Sequence, residues 1–157
     1  MSKFQFSLAV HDAIHIAMRL RESDRREADA CTPPMTDTER ANTLVDSRGT
    51  KFTVWTEDSE PAVMGGWMPL WPGVVSSWML ATDRINEVGA ALDHAALRGH
   101  KMLFDAGVHR CQAFGLAAHE AARNWLLLLG YRPEGVHHHF GRGGETFISY
   151  AKLRKAA

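Results

Sequence analysis

Residues 84–131 constrain the fold more than any other part of this chain. They open on a glycine-ended loop, Arg84-Ile85-Asn86-Glu87-Val88-Gly89. Val88, Ala91, Leu92, Ala95, Ala96, Met102 and Leu103 then recur on one face of a helix over 87–104. Gly99 inside that run costs about 1 kcal/mol against Ala, so a kink or an early end is expected there. Gly107 stops the helix, and 108–116 reads as a short strand. A second helix follows over 120–129, and its apolar run from Trp125 to Leu129 predicts deep burial. Gly130 supplies a left-handed cap. Loop, helix, strand and helix in this order call for a sheet with helices packed on it.

The flanking elements extend that plan. Phe4, Phe6 and Leu8 alternate with polar or small residues, predicting a first strand over 3–9. Asp12 reads as the cap of a helix with Ala13, Ile16, Ala17 and Leu20 on its apolar face. Its polar continuation should end near Cys31, because Pro33 and Pro34 follow. Thr36 with Glu39 three residues on is a capping box, and predicts a helix over 36–47 that Gly49 closes. Residues 51–56, 62–70 and 74–81 read as strands, with Gly65-Gly66 marking a bulge or a close backbone approach. Strands over 132–140 and 145–152, joined through Gly141-Arg142-Gly143-Gly144, make a closing hairpin. The expected fold is one α/β domain over 1–157: a mixed, mostly antiparallel twisted sheet flanked by about four helices.

Composition narrows the functions. At 157 residues the chain can bury a core without disulfides or metal. Eighteen basic and 18 acidic side chains balance to +0, which disfavours a uniformly basic nucleic-acid face. Cys31 and Cys111 have no CxxC or metal spacing and read as reduced thiols. No run reaches the 18 or so apolar residues of a membrane helix, and the opening MSKFQFSLAV is too weakly apolar for a signal peptide.

Individual residues invite chemistry and meet plainer alternatives. His11 and His15 lie one turn apart but have no third ligand nearby. His119-Glu120 begins like a zinc HExxH, yet Arg123 occupies the last position, so no metal site is expected. His119 is a candidate general base, against a role capping the second helix. His137-His138-His139 in a strand would alternate faces and could not converge on one metal within a chain. Trp67, Trp71 and Trp78 with Met64, Met68 and Met79 form a band that reads as core, with a partner-binding surface as the alternative. Glu57, Asp58 and Glu60 read as a solvated turn.

Taken together, the loop, the helix after it, and His119-Glu120-Ala121-Ala122 followed by Leu126 and Gly130-Tyr131 resemble the acetyl-CoA-binding half of the GNAT N-acetyltransferases. That resemblance implies a pyrophosphate cradle made by Arg84, Asn86, Val88, Gly89 and Ala90, with acetyl-CoA as the cofactor if the chain is active and none otherwise. In such a cradle, backbone N–H groups at a helix N-terminus point at the phosphates. The chain departs from the pattern at three positions. Glu87 stands where the family has a glycine and brings a negative charge beside two phosphates. Leu126 replaces the general-acid tyrosine, and His119 replaces an asparagine. His119 and Glu87 are then the candidate catalytic groups.

A narrower resemblance is to the small GNAT-like internal virion proteins of short-tailed phages. It is carried by Trp78-Met79-Leu80-Ala81-Thr82-Asp83, then His119, then Gly143-Gly144-Glu145-Thr146-Phe147. It implies a non-catalytic virion or assembly component in the host cytoplasm or inside the particle, with other virion or host proteins as partners. The alternatives are an active N-acetyltransferase acting on an amine, and a host-directed binding module.

Overall fold

The structure is a computed structural model and describes residues 2–156. Its elements are β1 (Lys3–Gln5), α1 (Val10–Met18), α2 (Glu22–Ala30), α3 (Asp37–Asp46), β2 (Thr50–Trp55), β3 (Pro61–Trp71), β4 (Val74–Ala81), α4 (Gly89–Asp105), β5 (Arg110–Leu116), α5 (Glu120–Leu128), β6 (Arg132–His137) and β7 (Phe147–Leu153). A short 3-10 turn, Asp83–Glu87, links β4 to α4. The seven strands form one sheet in the order β1-β2-β3-β4-β5-β7-β6. Every neighbouring pair is antiparallel except β4 with β5. This is the expected mixed, mostly antiparallel sheet.

Several local expectations are corrected. The first strand ends at Gln5, and the helix after it is capped by Ala9 through its extended backbone, not by Asp12, which lies buried in the first turn. The single helix expected up to Cys31 is two. Between them Leu20 forms a β-bridge to Thr82, and the Arg21 N–H donates to Ala81 O, pinning the break to the end of β4. The capping box at Thr36 and Glu39 is present, with Thr36 Oγ1 accepting from the Glu39 N–H and the Thr36 N–H donating to Glu39 Oε2.

Gly65-Gly66 is a close approach and not a bulge. The strand register runs through unbroken, and a Cβ on Gly65 would fall 2.5 Å from the Phe52 ring. Gly99 does not end α4, which runs unbroken from Gly89 to Asp105. Its missing side chain is filled by Trp67, whose ring would lie 2.1 Å from a Cβ there. Only His137 of the three histidines lies in a strand; His138 and His139 belong to the turn, His139 with φ of 55°.

The main core lies between the sheet and α4, where Val88, Leu92, Ala95 and Ala96 meet Phe52, Trp67, Val75 and Tyr131. A second cluster lies beneath α1 to α3, where Ile16, Ala17 and Ala41 pack with Met64 and Leu80. Trp67 and Met64 are therefore core, as the aromatic band suggested, whereas Trp71 is exposed. The deep burial expected over 125–129 is met only at Leu129, just past the end of α5, with Trp125 and Leu126 half-buried against the core. No α5 residue is buried, and Leu128 is 84% exposed, because the apolar run is longer than the one helix face the sheet can cover. Among the described residues no helix is long and apolar enough to cross a membrane.

Candidate functional site

The single parallel pair in the sheet creates the site. β4 and β5 pair only at Val74 with Arg110, Val75 with Cys111 and Ser76 with Gln112. Beyond that point β4 stays paired to β3 as far as Ala81, and β5 stays paired to β7 as far as Leu116. The two strands thus diverge, and each turns an edge toward a gap. The Thr82 N–H donates to Ala62 O on the β3 side, so by alternation the N–H groups of Met79 and Ala81 face the gap. On β5 the Ala117 N–H points to Thr146 O beside β7, which turns Phe114 and Leu116 toward β4.

Backbone groups facing a buried gap need partners, and α2 supplies two of them. Asp24 and Glu27, three residues apart, lie on one helical face. Asp24 Oδ2 accepts from the Ala81 N–H at 2.7 Å, and Glu27 Oε2 accepts from the Leu116 N–H at 2.8 Å. The wide end of the gap is therefore closed by two carboxylates from one helix turn. His119, at the N-cap position of α5 and 4% exposed, sits between them. Its Nδ1 is 3.1 Å from Glu27 Oε2 and its Nε2 is 3.5 Å from Asp24 Oδ1. Burial raises the Asp24 carboxyl above its ordinary range, against the opposing pull of Arg21 and His119. Arg21 Nε stands 2.9 Å from Asp24 Oδ1.

At the narrow end, a chain of three polar side chains crosses the core. The Tyr131 hydroxyl is 2.7 Å from both Ser77 Oγ and His100 Nε2. Burial raises the tyrosine, which stays a neutral phenol, and lowers His100 to about 4, with nearby Lys152 adding to the depression. Between the two ends runs a cavity of about 240 Å³, lined mainly by apolar side chains including Phe52, Trp67, Met79, Phe114, Leu126 and Leu129. Leu126 is an alkyl side chain and adds no proton donor to this cavity. Trp125 beside it ties α5 to α4 through Nε1 donating to Asp93 Oδ1 at 2.8 Å.

The loop candidates lie elsewhere. Asn86, Gly89 and Ala90 are exposed at the junction of the 3-10 turn with α4, Val88 is buried beneath it, and none of these residues lines the cavity. Gly89 faces open space, with nothing within 4 Å of a Cβ placed there, and the N-cap residue Val88 makes no side-chain hydrogen bond. So far this is a helix start that could receive an anion.

Arg84 changes that. Its guanidinium donates to Glu87 through Nε and Nη2 at 2.8 and 2.6 Å, and through Nη1 to Glu60 at 2.6 Å and Asp58 at 3.1 Å. One cation thus holds three carboxylates, each lowered from its ordinary range by its hydrogen bonds to Arg84, while Arg84 is itself raised by them. Glu60 also meets His15 Nε2 at 3.2 Å. Asp58 and Glu60, which read as a solvated turn, are half of this hub.

The charge of the hub opposes a pyrophosphate there. The guanidinium that would meet the pyrophosphate is committed to three acids, and the cluster carries more negative than positive charge before any phosphate arrives. Of the two catalytic candidates, His119 lines the cavity and Glu87 does not, so the fold does not bring them together.

Sequence reasoning missed Asp24, Glu27, Ser77, His100 and Tyr131. Asp24 and Glu27 are hidden in a helix that is charged on all sides. A signal for His100 was available: it falls on the same helical stripe as Leu92, Ala95 and Ala96, where a polar residue is out of place.

No protein-family model matches the sequence, and no curated protein matches it. Solved structures do match over the whole chain. One is the ribosomal-protein-S18-alanine N-acetyltransferase of Escherichia coli, 17% identical with a TM-score of 0.72, over 100% of this chain and 96% of that one. Another is a Salmonella typhimurium protein of acetyltransferase type solved with its cofactor acetyl-CoA, 12% identical with a TM-score of 0.78, over 100% and 97%. A third is the ribosomal-protein-alanine N-acetyltransferase of Brucella melitensis, 11% identical with a TM-score of 0.76, over 96% and 99%. The chain has the GNAT fold.

Proposed function

We propose that this chain is a GNAT-fold protein whose coenzyme A site has closed, and that it works as a non-catalytic protein component. The observation that carries the reading is Arg84 held by Asp58, Glu60 and Glu87 at the entrance to α4. Leu126 in the place of a proton donor supports it. The ordered motifs that resemble internal virion proteins of short-tailed phages support a place in a phage particle or in its assembly. Its partners would be other virion or host proteins, met in the host cytoplasm or inside the particle.

Two measurements test the proposal. Thermal unfolding with and without acetyl-CoA should give the same midpoint. A bound ligand at about 100 times its dissociation constant would add about 2.7 kcal/mol and would be plain to see. Mass spectrometry of purified particles should find the chain at a fixed stoichiometry, and its absence would remove the virion half of the reading.

A second reading, an acetyl-CoA-dependent N-acetyltransferase acting on an amine, is supported by the β4–β5 gap and by the neighbour solved with acetyl-CoA. A saturable midpoint rise with acetyl-CoA, together with release of free thiol when an amine is added, would replace the first reading with the second.

A further inference from the structure

The exposed Leu128 of α5 borders a second hollow, on the far side of His100 and Leu129 from the cleft. Where α4, α5 and the end of β7 meet, a groove of about 610 Å³ opens to the surface. Its apolar walls are Leu97 and Phe104 from α4, Leu128 from α5 and Leu153 from β7. Leu97, Leu128 and Leu153 are each more than half exposed. Leu97 and Phe104 are seven residues apart, two turns along one face of α4 and about 10 Å.

Around this apolar floor stand Lys101, Arg132, Lys152, Arg154 and Lys155, against the single acid Asp105. The chain as a whole is neutral, so this is a local excess of positive charge. Asp105 answers only Lys101, at 2.6 Å. Arg132 and Arg154 donate to helix-end carbonyls, Leu127 O and Phe104 O, and pair with no carboxylate among the described residues. Lys152 and Lys155 have no carboxylate within ion-pair distance among the described residues.

We propose that this groove docks an acidic amphipathic helix of a partner protein. Its apolar face would cover Leu97, Phe104, Leu128 and Leu153, and its flanking carboxylates would meet the ring of lysines and arginines. Strand addition is the weaker mode at this end of the sheet. The outer strand β6 begins Arg132-Pro133-Glu134, and its proline has no N–H to offer an incoming strand.

The test uses the full chain and a fluorescent synthetic peptide of about four helical turns. The peptide carries leucines at i, i+3, i+4 and i+7 and glutamates elsewhere. Anisotropy should report saturable binding that weakens as salt rises. Leu128→Ser and the double variant Lys152→Glu with Lys155→Glu should each weaken it at least tenfold. Glu22→Gln, exposed on α2 and outside the groove, should leave it unchanged. Leu128 is exposed, so Leu128→Ser should unfold at the parent temperature, and Leu128→Ala serves as a second probe. Unchanged peptide binding in the leucine and lysine variants overturns the proposal. So does binding to anionic phosphatidylserine vesicles without binding to the peptide, which would make the groove a membrane contact. Self-association that Leu128→Ser abolishes also overturns it, because the occupant would then be a second copy.

Discussion

Acid should weaken this fold through one histidine. His100 is 3% exposed, with Trp67 edge-on at 5.3 Å, Phe104 at 6.2 Å and the Tyr131 hydroxyl on Nε2. Burial first, and the charge of Lys152 second, lower its pKa from 6.5 to about 4 in the folded chain. A depressed pKa means that the unfolded chain binds the proton more readily, so stability rises with pH between the two values and is lost as pH falls through them. The shift corresponds to about 3 kcal/mol; by linkage about 2 kcal/mol is gone at pH 5 and about 3 at pH 4.

Asp24 acts the other way. Its raised carboxyl binds a proton more readily in the folded chain than in the unfolded one, so its contribution falls as pH rises above 3.8. A single wild-type curve would mix the two groups. Urea unfolding at half-unit pH steps should therefore be run on the parent and on His100→Gln. The difference between the two curves isolates the histidine and should narrow by about 3 kcal/mol from pH 7 to pH 4. An invariant difference, or a directly titrated His100 near 6.5 by NMR, would refute the burial argument.

Other substitutions test the rest of the frame. Asp24→Ala leaves the Ala81 N–H without its acceptor and Arg21 without its counter-ion, and should cost about 4 kcal/mol in urea unfolding. Asp24→Asn, which keeps an acceptor, should cost clearly less; equal losses would mean that the strand-end contact contributes little. Gly99→Ala gains about 1 kcal/mol of helix propensity but drives a methyl into the Trp67 ring. Overpacking of about 1–3 kcal/mol should win, and a raised melting temperature would show that Trp67 yields.

How much of this was legible in the sequence follows from the range of each interaction. The capping box at Thr36 and Glu39 and the left-handed cap at Gly130 depend on neighbours within a few residues, and each stands where the pattern places it; α4 opens at Gly89, two residues after the expected start, because the 3-10 turn takes up Glu87. Gly99 was read only for its cost, because its reason is Trp67, distant in the chain. Asp24 and Glu27 looked solvated because their partners, Ala81 and Leu116, are brought to them by the diverging strands. The departure at Glu87 was visible in the loop itself. That the same residue would join Asp58 and Glu60 on Arg84 was not, since the turn carrying those acids arrives through the register of β2 with β3. The exposure of Leu128 contradicts the reading of an apolar run as buried, because periodicity reports only how many faces are apolar and not how many the sheet covers.

The central claim is that Arg84, bound by three carboxylates, cannot serve a pyrophosphate. Calorimetric titration of acetyl-CoA into the parent chain and into a variant carrying Asp58→Asn, Glu60→Gln and Glu87→Gly tests it directly. The parent should give no saturable heat up to millimolar ligand, and the variant, with Arg84 released and the loop neutral, should bind. Saturable binding by the parent, as tight as by the variant, would contradict the account.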